Sequence, residues 1–176
     1  QSRVGYFWLA IREDEEAARS TGIDTFHYKM VAVVISAAMT SFAGVFYAFS
    51  TFVMRALGRL APAQGIAAMK SINVVVINPW FLGVFIGTAA LSLAAVASAI
   101  YRWGTPGAAW LLAGGALYFA GSFVVTMRGN VPMNEALALV DAESAAGIEY
   151  WQRYVAGWTR WNHVRTAASL AASLSY

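Results

Sequence analysis

The polar side chains that could take part in chemistry fall into three groups within an otherwise apolar chain. These groups are Asn73 with Asn78, Asn130 with Asn134, and the run WTRWNHVR at residues 158–165. An amide near hydrocarbon needs hydrogen-bond partners, because an unsatisfied one there costs several kcal/mol. His163 adds a titratable imidazole and Arg165 a fixed cation. The groups predict either hydrogen bonds that hold helix ends together or a small polar site at one end of a helical bundle.

An aromatic face overlaps the third group. Trp151, Tyr154, Trp158 and Trp161 are spaced by three, four and three residues, which places them on one side of a helix. Such a face is typical of a helix at the membrane interface. The alternative, which the pattern favours less, is that the face lines a pocket for an aromatic ligand.

The composition indicates which kind of protein must position these groups. The chain has 176 residues, of which 59% are hydrophobic and 12% charged, about half the ~25% charged residues of a soluble domain. Three runs are long enough for a bilayer core of about 30 Å: Met30–Met54, Pro79–Ile100 and Ala108–Met127. Val164–Tyr176 is apolar but too short. We therefore predict an all-α, multi-pass membrane bundle with three full spans and a truncated fourth helix, and we expect both chain ends to be truncated.

The distribution of basic residues indicates that two different sequences are joined inside the first span, at a junction called the seam below. We expect residues 1–29 to form a cytoplasmic amphipathic segment with a helix, and residues 30–176 to form the bundle. After residue 50, the first and third connections carry seven basic residues and the second carries one, which places the first and third in the cytoplasm. The basic front segment also favours the cytoplasm, and one crossing cannot satisfy both. A junction near residues 41–49 explains the conflict, and a re-entrant segment at residues 55–78 is the alternative.

The front segment has a distinctive sequence over about residues 2–48. This sequence includes AIREDEEAARSTGIDTFHYKMVAVVISAAMTSFAGVFYA. It resembles the permease subunit of branched-chain amino acid ABC transporters. In that family Glu-Ala-Ala followed by Gly forms the cytoplasmic loop that docks onto the ATPase, and here these residues are Glu16, Ala17, Ala18 and Gly22. The resemblance implies that residues 9–22 dock an ABC ATPase subunit.

Four stretches of the main body form a second set of sequence motifs: GVFYAFSTFVMRAL, GIAAMKSINVVVINPWF, VTMRGNVPMNEAL and WTRWNHVRT. Over about residues 44–176 they resemble the anthrone-oxygenase-like family of small four-helix membrane proteins. Members with known roles are similar to cofactor-independent oxygenases that convert anthrones to anthraquinones. The resemblance implies that the site is carried by Asn130, Asn134, Asn162, His163 and Arg165.

Side-chain chemistry suggests a role for each of these residues. His163 would remove a proton from an activated phenol or benzylic carbon, and Arg165 and the asparagines would stabilise the resulting oxyanion. Trp158 and Trp161 would stack on a polycyclic substrate, with Asn73 and Asn78 as further substrate-binding residues. We expect no cofactor and no metal, because His27 and His163 lie in different pieces and no carboxylate neighbours His163.

Three functions therefore compete. The chain is an oxygenase-like membrane protein, a permease fragment whose working part docks an ATPase, or an accessory bundle without catalysis. We expect it in the inner (plasma) membrane, with the bilayer as its partner and with homo-oligomerisation open. A net charge of +3 is spread along the chain, so no nucleic-acid surface is predicted.

Overall fold

The computed structural model describes residues 7, 10, 11, 13–22, 24–104 and 107–176, without the side chains of residues 27–29, and the regular structure of this part is helical. The elements in chain order are α1 (Glu15–Ser20), α2 (Thr25–Ala48), a π-helical segment π1 (Phe49–Val53), α3 (Met54–Gly58), α4 (Pro62–Val75), α5 (Pro79–Tyr101), α6 (Ala108–Tyr118), π2 (Phe119–Val124), π3 (Thr126–Asn130), α7 (Val131–Leu139) and α8 (Ala145–Ser173).

Three helices are long and apolar enough to cross a membrane: Met30–Gly58, Pro79–Tyr101 and Ala108–Leu139. They confirm the three predicted spans and the all-α bundle. The first and third extend past their predicted ends, because π1, π2 and π3 continue the helix instead of ending it. The chain is therefore a multi-pass membrane protein.

α8 differs most from the expected arrangement. The aromatic segment and the fourth apolar run are one helix of 29 residues, whose first turn is capped by the Ser144 hydroxyl accepting from Gly147 N at 2.9 Å. α8 runs antiparallel to the first span: the hydroxyl of Ser36 donates to Ser173 O at 3.0 Å, and the amide of Asn162 donates to Phe46 O. The start of α8 therefore lies near the end of the first span.

The aromatic face of α8 packs inside the protein. Trp151, Tyr154 and Trp158 are buried in one cluster with Met54, Ile66, Met69 and Leu137, whereas Trp161 is 43% exposed. Three of the four aromatic residues thus contact α3, α4 and α7 rather than a membrane interface. This cluster fixes the polar end of α8 against the ends of two spans.

Glycines mark the turns and the closest helix contacts. Gly104 and Gly107 have φ of 94° and 84°, the left-handed conformation that suits glycine, and they lie in the connection between the second and third spans. A Cβ on Gly115 would lie 2.6 Å from Ser92 O, so α5 and α6 approach closely there. Gly83 and Gly87, whose spacing also permits close approach, have nothing within 4 Å of an added Cβ.

Candidate functional site

The π-helical segments bring polar side chains into the middle of the bundle. Ser50 lies in π1, Ser122 in π2 and Asn130 in π3, and all three are buried. A π-helical turn inserts one residue per turn, shifts the following side chains around the helix and is frequent at functional sites. Here it turns polar residues of two otherwise apolar spans toward α8.

Asn162 connects α8 to the first span. Its side chain is fully buried, and Nδ2 donates to Phe46 O at 2.6 Å and to Ser50 Oγ at 2.8 Å. These two acceptors settle the orientation of the amide, which leaves the buried Oδ1 without a hydrogen-bond partner. Because the Ser50 hydroxyl accepts from Asn162 and Thr166 donates its own proton to Asn162 O, the Ser50 hydroxyl donates to Thr166 Oγ1 in a long hydrogen bond of 3.4 Å.

Arg165 is a buried cation. It is 7% exposed, and its Cζ lies 3.8 Å from the centroid of the Phe46 ring and 5.9 Å from that of Trp158. A guanidinium over an aromatic face is attracted by the ring quadrupole. Its Nε has no hydrogen-bond partner, and no carboxylate among the described residues forms an ion pair with it. The hydroxyls of Tyr118, Ser122 and Ser169 are likewise buried and unpaired.

Asn134 holds α7 against the aromatic face of α8. Its Oδ1 accepts from the hydroxyl of Tyr154 at 2.7 Å and from Nε1 of Trp158 at 2.9 Å. One turn earlier, Nδ2 of Asn130 donates to Trp158 O at 3.2 Å. Burial raises the pKa of the Tyr154 phenol, so this hydroxyl stays protonated and able to donate. The two asparagines therefore hold α7 and the end of π3 against α8 through hydrogen bonds.

A groove of about 390 Å³ opens on the other side of α8, between that helix and the end of the first span. It is lined by Ser50, Met54, Arg55, Val155, Ala156, Thr159, Arg160 and His163. Thr159 and His163 are one turn apart on α8 and hence share a face. The buried hydroxyl of Thr159 has no partner. Small-molecule sites have volumes of roughly 300–1,000 Å³, so the groove is large enough for a compact ligand.

The structure divides the residues that were predicted to form one site. Asn130, Asn162 and Arg165 lie in the buried interior with Trp158, and the half-buried Asn134 bonds to Trp158 at its edge, whereas His163 faces the groove. His163 and Arg165 are not brought together. Ser50 links the two regions, because it lines the groove and bonds to Asn162.

The remaining predicted substrate-binding residues lie elsewhere. The side chain of Asn78 caps α5, accepting from Phe81 N at 3.0 Å and donating to Val75 O at 3.0 Å. Trp161 covers Gly129, where an added Cβ would lie 2.7 Å from its ring. Asn73 lies beside the hydroxyl of Tyr154, and its buried Nδ2 has no hydrogen-bond partner. None of the three is among the residues lining the groove.

Two polar residues of the groove, Ser50 and Arg55, were not among the predicted chemical groups, and Thr159 and Arg160 lie in the predicted run 158–165 but were given no role. For Thr159 and Arg160 a signal exists, because they precede His163 by four and three residues and share its side of a helix. Ser50 has no such signal. It lies 112 residues from its partner Asn162 in the chain, and only the packing of α8 on the first span brings them together.

The predicted docking segment forms α1 and its cap. The carboxylate of Asp14 accepts from the backbone N of Glu16 and of Ala17, and Gly22 follows the helix with φ of 81°, as predicted for its end. Glu16 and Ala17 are exposed, whereas Ala18 is buried. Leu9 and Arg12 lie outside the described residues.

Comparison with known families assigns the two parts of the chain. The anthrone oxygenase family matches residues 78–175, and the permease component of branched-chain amino acid transport systems matches residues 1–121. Each match covers more than half of the 176 residues. The chain belongs to both families. No curated protein and no solved structure matches it.

The two family matches confirm both resemblances and the chimeric character of the chain. They overlap over residues 78–121, so they mark no single boundary, and the seam near residues 41–49 stays a prediction. The α8 wall of the groove, with His163, lies within the anthrone oxygenase match alone. The wall formed by Ser50, Met54 and Arg55 lies within the permease match alone. The two walls of the groove therefore fall in different family matches.

Proposed function

We propose that the chain is a cofactor-independent oxygenase of the inner membrane that oxidises an anthrone-like aromatic substrate held in the His163 groove. The observation that carries this proposal is the grouping, in the lining of one cavity, of the imidazole of His163 with the hydroxyl-bearing residues Ser50 and Thr159. Membership of the anthrone oxygenase family supports the substrate class. The permease match supports the inner (plasma) membrane as its location.

The reaction needs a base and a site for the oxyanion. The imidazole of His163 takes a proton from the benzylic methylene, and the electron pair of that C–H bond moves onto the ring carbonyl oxygen. Molecular oxygen is the oxidant: the carbanion adds to O2 and forms a C–O bond. The His163 imidazolium returns its proton to the peroxide, and removal of the second C–H proton with cleavage of the O–O bond then releases hydroxide, which takes up that second proton and leaves as water. One O2 is consumed and one water formed for each methylene converted to a carbonyl.

The hydroxyls of Ser50 and Thr159 are positioned to stabilise the oxyanion. Thr159 has an unpaired hydroxyl, and the proton of Ser50 is not held by a short hydrogen bond because its oxygen accepts from Asn162. Donors that are already oriented toward the developing charge need no reorganisation during the reaction. Met54, Val155 and Ala156 supply apolar walls for the rings. Arg165, which faces the interior, contributes positive potential without touching the substrate.

The test is the conversion of anthrone to anthraquinone by the purified chain in detergent micelles. We expect oxygen uptake and quinone formation in a 1:1 ratio, faster than in micelles alone. Replacing His163 by Gln removes the base and should lower the rate by about 10²–10⁴-fold, the usual worth of a general base. Thr159→Val should lower it less, by weakening the oxyanion site.

Two controls separate this mechanism from its alternatives. Arg153→Gln changes an exposed arginine on the same helix, away from the groove, and should leave the rate unchanged. If Arg165→Gln abolished oxidation while His163→Gln did not, the reaction would belong to the buried cluster instead. A wild type that does not exceed empty micelles would favour an accessory bundle without catalysis.

A second function has support from the front of the chain. We propose that α1 docks an ABC ATPase subunit, since the permease match begins at residue 1 and the exposed Glu16 and Ala17 lie on a capped helical turn. The test is co-purification with a branched-chain ATPase subunit. Glu16→Arg and Gly22→Val should abolish it, whereas Arg153→Gln should not. Equal recovery with all variants would contradict this docking mode.

A further inference from the structure

The end of the groove that faces away from His163 carries an unbalanced positive charge. Arg55 and Arg160 line the same cavity from opposite walls, and no carboxylate lines it. Neither arginine forms an ion pair with a carboxylate in the described part of the chain. Two cations around one cavity repel each other unless an anion lies between them.

Both arginines lie at the level where the first span leaves the hydrocarbon. Arg55 is the first charged residue after the uncharged stretch Met30–Met54. On the antiparallel α8, Asn162 bonds to Ser50, and a Cβ on Gly58 would lie 3.6 Å from Val155. Arg160 therefore falls between the same two levels as Arg55, at the headgroup layer rather than at mid-membrane.

The chemistry of this end suits one ligand in particular. Arginine binds phosphate oxygens with a planar fork of donors. The anions concentrated at this depth are the phosphates of acidic lipids. We infer that the Arg55–Arg160 end of the groove binds the phosphate of an anionic phospholipid, here called the lipid-phosphate site.

The lipid-phosphate site leaves the reacting end of the groove open. From Ser50 to Arg55, and from His163 to Arg160, the rise along the helices is roughly 5–8 Å. A phosphate between the arginines is therefore separated from the imidazole by about one helical turn. The inference stands on binding alone, so it is tested without the oxidation assay, and either proposal can fail while the other holds.

The experiment counts lipids bound to the purified chain by native mass spectrometry, during titration with phosphatidylglycerol or with zwitterionic phosphatidylcholine. The wild type should bind one phosphatidylglycerol in preference to phosphatidylcholine. An arginine near an anionic headgroup contributes ~1 kcal/mol, which corresponds to about a fivefold change in affinity. Arg55→Gln and Arg160→Gln should each lose about fivefold, and the double variant about 25-fold.

The matched control is the double variant Arg59→Gln with Arg153→Gln. It removes the same net charge from two exposed positions outside the groove, one just after α3 and one on α8, and its phosphatidylglycerol affinity should stay within about twofold of wild type. An equal loss in this control would overturn the inference, as would a wild type that binds both lipids alike. Displacement of the lipid by glycerol phosphate alone would show a free-phosphate site and also overturn it.

Discussion

Replacing Asn134 by leucine should weaken the junction of α7 and α8 more than any other single polar substitution there. In the native chain one carbonyl oxygen, Oδ1 of Asn134, accepts from the Tyr154 hydroxyl at 2.7 Å and from Trp158 Nε1 at 2.9 Å. Leucine has a similar volume but no acceptor. Both donors belong to side chains that are at least 95% buried, so water cannot replace the lost partner.

The magnitude follows from the number of donors left unpaired. Each buried donor without a partner costs about 1–3 kcal/mol, so Asn134→Leu should lower the free energy of unfolding by about 2–6 kcal/mol. Tyr154→Phe removes one donor and leaves Asn134 bonded to Trp158. It should cost only the net worth of one hydrogen bond, about 0.5–1.5 kcal/mol. In the double variant only Trp158 is unpaired, so its loss should be smaller than the sum of the two single losses.

The assay is equilibrium unfolding in mixed micelles with increasing dodecyl sulfate, followed by tryptophan fluorescence. Asn134→Asp is a useful second variant, because it retains the acceptor and should lose less than Asn134→Leu. If Asn134→Leu and Tyr154→Phe lowered stability equally, or if the two losses added without coupling, Oδ1 would not be the shared acceptor. Asn134 would then be free for the catalytic role implied by the family resemblance.

Two further stability predictions use the same assay. Gly65→Ala should destabilise the chain, because the new Cβ would lie 2.6 Å from the Trp151 ring. Gly87→Ala has nothing within 4 Å of the new Cβ, so it should be neutral or stabilise the chain by up to ~1 kcal/mol. Equal effects of the two substitutions would contradict the packing of α4. Asn78→Ala should cost about 0.5–2 kcal/mol by removing the cap of Phe81 N. A loss in Asn78→Ala that Asn78→Asp does not restore would argue against the cap.

The elements of the bundle could be predicted because their signals are local. An uncharged run of sufficient length must be helical and must cross, since lipid offers no partners to backbone groups. The left-handed glycines at residues 22, 104 and 107 follow from the same local logic, because glycine reaches positive φ without a steric penalty. The motifs that resemble the two families are likewise contiguous in the sequence, and both family matches confirm the resemblances.

The composition of the site could be predicted only in part, because the start of the last helix was misplaced. The apolar run predicts a fourth helix over Val164–Tyr176 only, which would place His163 and Arg165 together at its start. The helix begins at Ala145, so both residues lie in the middle of its length rather than in its first turn. Two positions apart, they differ by about 200° around the axis. His163 therefore faces the groove, while Arg165 lies over Phe46 in the core.

By itself, the sequence determined the class of protein, its three crossings, its turns and its membership of two families. Only the tertiary structure decided which polar groups meet. The antiparallel packing of α8 on the first span brings Ser50 to Asn162 and places Arg55 and Arg160 around one groove. Helical periodicity states which residues share a face, but it does not state which face of another helix lies opposite. That choice depends on side-chain packing between segments more than 100 residues apart.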